Sequence, residues 1–182
     1  QMHPDIEHIV IDGASKDGTL DVIHQNSERI ACIVSEPDKG IYDAMNKGLA
    51  HATGDVVAFL NSDDRYASAQ AISQVIGTFE RHHLDAVLGD VAFFDPRTPE
   101  RLIRRYRSDR FKPSRLAYGW MPAHPGLFVR RAEYDRVGRF STDYRIAGDY
   151  EMIIRLFARP EIRYRHLPDI LVLMQTGGAS TA

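Results

Sequence analysis

Residues 35–64 read SEPDKGIYDAMNKGLAHATGDVVAFLNSDD, and this stretch decides the fold class. Ile41, Met45 and Leu49 recur at i, i+4 and i+8, which predicts a helix with one apolar face over residues 41–50. Val56 to Leu60 follows as an unbroken apolar run, the pattern of a parallel strand buried on both faces. Ile30 to Val34 precedes the helix as another short β-type run. Strand, helix and strand in that order form a βαβ unit.

The same alternation continues outward. His8 to Ile11 predicts a strand, closed by the turn-forming stretch Asp12 to Gly18, and Thr19 to Asn26 a helix. Ala69 to Arg81 predicts a helix and Ala86 to Leu88 a strand. The expected fold class is therefore α/β, with a mostly parallel central sheet and helices on both faces. The second half is less regular. Val91 to Tyr106 predicts a hairpin turning at Asp95–Arg97, and Leu127 to Arg130 a short strand. Tyr150, Ile153, Ile154 and Phe157 follow i, i+3, i+4, i+7, so residues 149–158 predict an amphipathic helix. Late strands are expected at Tyr164–Leu167 and Ile170–Met174, around Pro168, and a frayed end at Gly177–Ala182. No linker separates the halves, so residues 1–182 are read as a single domain.

Composition narrows the function classes. The 182 residues carry 23 Lys plus Arg against 25 Asp plus Glu, a net charge of −2. That balance argues against nucleic acid as a partner, because phosphate-backbone affinity needs clustered positive charge. At 43% hydrophobic and 26% charged residues the chain has the make-up of an ordinary globule and not of a disordered one. The single cysteine, Cys32, excludes an intramolecular disulfide framework and a multi-cysteine zinc site, and fits a reducing compartment. No stretch approaches the roughly 20 apolar residues of a membrane span, and no secretory signal is visible at Gln1–Asp5.

In open α/β sheets, ligands bind beyond the carboxyl ends of the strands, so the polar segments there are the candidate sites. Asp12, directly after a strand, is either a turn former or an acceptor for a base or ribose hydroxyl. In Glu36–Asp43, Gly40 lets backbone approach a ligand and Lys39 can meet a phosphate, although the spacing is not that of a Walker loop. Asp43 and Lys47 form a helix-supporting i, i+4 pair, which leaves Asn46 to face a site. In Asn61-Ser62-Asp63-Asp64, alternate side chains share a face, so Asn61 and Asp63 project together as hard oxygen ligands suited to Mg²⁺ or Mn²⁺. A plain loop or helix cap is the competing reading. Asp149 opens the amphipathic helix, where the dipole favours its ionised form; it is either a cap or a base. His124, in a Pro-rich loop, is either a phosphate or metal contact or a structural histidine. Trp120 is either a sugar-stacking ring or core.

Order and spacing say more than any one motif. IVIDGASKDGT at 9–19, the 35–64 stretch, HPGLFVRR at 124–131 and AGDYEMIIRL at 147–156 together resemble glycosyltransferase family 2 over nearly the whole chain. Within the family, the chain resembles bacterial transferases of the colanic-acid type that build surface polysaccharides. The resemblance implies a Rossmann-like α/β/α sandwich of the nucleotide-diphospho-sugar transferase (GT-A) type. It also implies transfer of a sugar from a nucleotide-diphosphate donor to an acceptor hydroxyl, with inversion. Asp12 matches the aspartate that contacts the nucleotide base. Asp63 matches the last aspartate of the Asp-x-Asp motif, which binds Mn²⁺ or Mg²⁺, and Asp149 matches the catalytic base. Lys39, Gly40, Asn46 and Ser62 are the further donor-side candidates; Trp120 and His124 are the acceptor or phosphate candidates.

Two departures from the family pattern stand out. Asn61 occupies the place of the first aspartate of Asp-x-Asp. Family members also carry a first strand with a Pro-x-Tyr-Asn-type segment and a helix ahead of the point matching Gln1, so the resemblance implies a catalytic domain truncated at its N-terminus, with truncation at the C-terminus a further expectation. The implied acceptor is a saccharide, free or linked to a polyprenyl lipid. The implied location is cytoplasmic, peripheral on the inner face of the cytoplasmic membrane, with the arginines from Arg101 to Arg110 near anionic headgroups or on a solvated hairpin. A non-catalytic nucleotide- or saccharide-binding domain is the alternative, and a nucleotidyltransferase is a weaker one because no Gly-rich basic loop opens the chain.

Overall fold

The computed structural model describes residues 1–177; the remainder of the expected frayed end lies outside the described residues. The elements in order are β1 (Ile9–Asp12), α1 (Thr19–Gln25), β2 (Cys32–Ser35), α2 (Ile41–His51), β3 (Val56–Ala58) and β4 (Arg65–Tyr66). They continue with α3 (Ala71–His82), β5 (Ala86–Asp95), β6 (Thr98–Tyr106), β7 (Leu127–Arg130), α4 (Arg131–Val137), α5 (Gly148–Phe157) and β8 (Tyr164–Gln175).

β5 organises the larger sheet. Its first part pairs antiparallel with β7 and its later part antiparallel with β6, while β8 runs parallel along its other edge. β3 adds antiparallel to β7, and β4 antiparallel to β8. Side chains along β5 alternate between two cores, as strand geometry requires. Ala86 and Leu88 join the cluster with Met152, Ile153, Leu156 and Phe157 of α5. Val87 and Val91 join the cluster with Ala71, Val75 and Phe79, which lie at i, i+4 and i+8 on α3. A helix on each face of a sheet buried on both sides is the expected sandwich.

The mostly parallel sheet is corrected to a mixed one. β1–β2 and β5–β8 are parallel, but β7 inserts antiparallel between β3 and β5. The insertion follows from the chain's path: the segment after β6 returns through two 3₁₀ turns rather than a crossover helix. The two late strands are one, β8, whose pairing with β5 shifts register at Gly89/Asp90 around Pro168. Arg131–Val137 forms a helix that the sequence patterning does not announce. Among the described residues β1 pairs only with β2, in a sheet of its own, and β3 pairs only with β7. A cleft of about 2400 Å³ is lined by residues of both sheets, including Ile9, Ile11, Val57 and Ala58.

One carboxylate ties the β5–β6–β8 region together. Asp90, fully buried, accepts hydrogen bonds from the Ser108 N–H (2.9 Å) and from Arg105 Nε (2.8 Å), and pairs with His166 Nε2 (2.7 Å). Burial alone pushes its pKa up; these three partners outweigh burial and hold it below the usual aspartate range. A carboxylate with a depressed folded pKa contributes its stability fully above the unfolded value and loses it as pH falls through the folded one. Asp90→Ala is expected to lower the free energy of unfolding by about 3 kcal/mol at neutral pH, read from urea denaturation. The deficit should shrink as the pH drops below about 4. An unchanged denaturation midpoint contradicts this role.

Candidate active site

α5 begins at the cleft. Ala147, just before it, takes a left-handed conformation (φ 69°), a strained choice for a residue with a Cβ that turns the chain into the helix. Gly148 follows, and the ring of Tyr42 packs directly on it: a Cβ there would lie 2.7 Å from the ring. This close approach lets the Tyr42 hydroxyl donate to Asp149 Oδ1 (3.2 Å), which also accepts the Tyr150 N–H (2.9 Å). Burial, and then the Asp149 charge, raise the Tyr42 pKa, so the phenol stays a donor. Tyr42 in turn stacks on Phe140 (6.0 Å, 15°). Phe140 is gripped through its main chain by Asn46, whose Nδ2 donates to the Phe140 carbonyl (2.9 Å) and whose Oδ1 accepts the Phe140 N–H (2.8 Å). α2 therefore sets the position of the carboxylate on α5.

Across the cleft, β3 delivers Asn61, Ser62, Asp63 and Asp64 to the lining. Asn61 Nδ2 donates to Asp64 Oδ2 (3.0 Å), and Asn61 Oδ1 has no partner among the described residues. Asp63 is exposed, and its carboxylate makes no hydrogen bond among the described residues. Asp64 is half-buried; desolvation, aided by the Asp63 charge, pushes its pKa up to about 6 in spite of the Asn61 hydrogen bond. Desolvated, mutually repelling oxygen groups of this kind suit a hard divalent cation. No cluster of three or more ligating His, Cys, Asp or Glu side chains is present among the described residues. The donor set thus fits a Mg²⁺- or Mn²⁺-type site that relies on one or two carboxylates together with substrate phosphates.

His124 also lines the cleft, buried against Phe59 and Phe140. The structure therefore brings together Asn61, Ser62, Asp63, His124 and Asp149. Lys39 and Gly40 border an adjoining pocket of about 260 Å³, beside Tyr144 and Arg145. Three of the candidates lie elsewhere. Asp12 is buried at the end of β1, where its Oδ2 accepts the Ser35 hydroxyl (2.7 Å) and the Ser15 N–H (3.0 Å). Bonds from Ser15 and Ser35 hold its pKa down, so it is an ionised stitch between β1 and β2. Asn46 has both amide atoms on Phe140, and Trp120, partly buried, stacks on Tyr106 (6.4 Å) and Phe111 (6.0 Å) against the core. Tyr42 and Asp64 are site residues that the sequence patterning passes over. Tyr42 sits inside the quoted helix, one position after the apolar Ile41, and Asp64 inside the polar tail of β3.

Comparison with known proteins gives the family and the fold. The model of glycosyl transferase family 2 matches residues 1–138. A PGL/p-HBAD biosynthesis glycosyltransferase of Mycobacterium bovis is 31% identical over 169 residues, covering 90% of this chain and 63% of that protein. A glycosyltransferase of Mycobacterium tuberculosis is 32% identical over 165 residues, covering 82% and 56%. The chain thus spans less than two thirds of these relatives' length. Among solved structures, TarS residues 1–349 of S. aureus in complex with UDP has a TM-score of 0.76 at 20% identity, over 93% of this chain and 51% of that one. The mannosyltransferase PcManGT from Pyrobaculum calidifontis, in complex with GDP-Man and Mn²⁺, has a TM-score of 0.68 at 21% identity, over 96% and 49%. These likenesses establish the fold as that of the GT-A transferases. With fold and sequence in agreement, the chain belongs to glycosyl transferase family 2.

Proposed function

We propose that this chain carries the catalytic centre of an inverting glycosyltransferase that uses a nucleotide-diphosphate sugar. The observation that carries the reading is the carboxylate of Asp149, held by Tyr42 at the start of α5 in the same cleft as Asn61 and Asp63. A base on one side and a diphosphate-binding corner on the other are what a single in-line displacement needs. Asp149 takes the proton of the acceptor hydroxyl as its oxygen attacks the anomeric carbon. The bond from that carbon to the phosphate oxygen breaks, and the nucleoside diphosphate leaves with the electron pair, so the configuration inverts. Asp63 and Asn61 Oδ1 would hold the divalent metal, with Asp64 beside them. When bound, Mn²⁺ or Mg²⁺ neutralises the charge that develops on the leaving diphosphate. Solved neighbours bound to UDP, UDP-GlcNAc, or GDP-Man with Mn²⁺ support this class of donor and metal.

Ser62 and the Lys39–Gly40 turn flank the donor in this reading, and Asp12 shapes the turn after β1. Among the described residues β1 and β3 each have one edge without a partner strand, which supports a catalytic domain whose sheet lacks one strand. The acceptor is a saccharide or lipid-linked saccharide. β6 offers a surface for a membrane-bound one: it is exposed along almost its whole length and carries Arg101 and Arg104 beside the exposed Leu102 and Ile103. No helix among the described residues is long and apolar enough to cross a membrane; the contact proposed here is a peripheral one through β6.

Asp149→Asn keeps the hydrogen bonds that accept from Tyr42 and Tyr150 but cannot take a proton. Its turnover is expected to fall by roughly 10²–10⁴-fold with nucleotide affinity unchanged; transfer at the wild-type rate removes Asp149 from the role. Tyr42→Phe keeps the ring on Gly148 and deletes one hydrogen bond to the base. Steady-state kinetics should show kcat lower by about 3- to 10-fold and the donor KM unchanged. A rise in donor KM with kcat intact would mean that Tyr42 serves the donor instead.

A further inference from the structure

His124 is only 6% exposed, yet neither ring nitrogen makes a hydrogen bond among the described residues. Among the described residues the enclosed polar atoms without a partner are Ser108 Oγ and Tyr134 Oη, not the His124 nitrogens, so the polar edge of the imidazole opens to the cleft. The ring is also held firmly. Its face stacks on Phe59 (5.5 Å, 27°) and it meets Phe140 edge-on (5.7 Å, 73°). The 3₁₀ turn that bears it, His124–Gly126, packs so closely on β5 that a Cβ at Gly126 would lie 2.7 Å from the Gly89 carbonyl oxygen. A phenylalanine would fill this aromatic box without leaving a polar atom unmet. A fixed, unpartnered imidazole on the wall of the cleft that holds Asp149 is therefore a ligand group waiting for its ligand.

We propose that His124 is an acceptor-binding residue, whose ring nitrogen hydrogen-bonds the sugar hydroxyl that Asp149 deprotonates. This assignment rests on the transferase reading above and names the group that meets the second substrate. Its chemistry selects a hydroxyl over a phosphate. Burial favours the neutral ring, although the Asp149 charge pulls the other way. A neutral ring in the same cleft as the Asp149 carboxylate offers an anion little, and the carboxylate repels it. A hydroxyl can donate to Asp149 and accept from the imidazole N–H at once. During transfer the hydroxyl proton passes to Asp149, and the imidazole keeps its own.

The test compares His124→Phe, which retains the aromatic packing and loses both nitrogens, with His124→Gln, which restores polar atoms. Nucleotide affinity is measured first, by calorimetry with UDP and GDP in the presence of Mn²⁺. Turnover of the matching nucleotide sugar is then followed with water as the smallest acceptor and with octyl glucoside as a probe acceptor. His124→Phe should keep wild-type nucleotide affinity and lose on the order of tenfold in turnover to both acceptors, the worth of one hydrogen bond. His124→Gln should recover part of that loss. Wild-type turnover in His124→Phe overturns the assignment. So does a loss of nucleotide affinity that parallels the loss of turnover, since the ring would then merely support the cleft. If the wild-type chain binds no nucleotide, the transferase reading fails at the first step and takes this assignment with it.

Discussion

The placement of Asp149 depends on one close contact, the Tyr42 ring lying on Gly148. Where a side chain would project, there is only a hydrogen, and the phenol reaches the carboxylate of the next residue. Two helices far apart in sequence are thereby locked at the point where the proposed chemistry occurs. Behind Tyr42, Phe140 and the two-way grip of Asn46 keep the ring from sliding. The left-handed Ala147 fits the same logic: strain at one residue aims the helix start, and the surrounding contacts hold it there.

The cleft divides its work by environment. Near β3, Asp64 is partly desolvated and feels the charge of the exposed Asp63, so it is driven toward its neutral form unless a cation joins it. At the end of β1 the opposite holds: Ser15 and Ser35 keep Asp12 ionised. Around His124 the walls are aromatic. A charged diphosphate and an uncharged hydroxyl would each find a matching corner, and these corners lie on different strands and loops of one cleft.

Much of the fold was legible because local periodicity and burial agree. α2, α3 and α5 each show the apolar face that the core clusters use, and their bounds lie within two residues of those that the pattern predicts. β7 also falls where the pattern puts it, but its direction did not. A short apolar run carries no sign of whether it will pair parallel or antiparallel, because that depends on the return path between β6 and β7. The site divides in the same way. Asp63, His124 and Asp149 stand out as polar groups at the ends of elements. Asn46 and Trp120 look equally available in sequence, and only tertiary contacts show one gripping Phe140 and the other stacked against the core. Tyr42 was hidden because a tyrosine on a helix reads as packing; its hydrogen bond to a residue 107 positions away has no local signal.

The central claim is that the corner after β3 binds a nucleoside diphosphate through a divalent metal. Calorimetric titration of the purified chain with UDP and GDP, with and without Mn²⁺, tests it most directly. The account predicts metal-dependent binding of at least one of the two nucleotides, abolished by Asp63→Ala and preserved by Asp149→Asn. Binding that is indifferent to Mn²⁺ and to Asp63, or no binding by the folded chain, would contradict it.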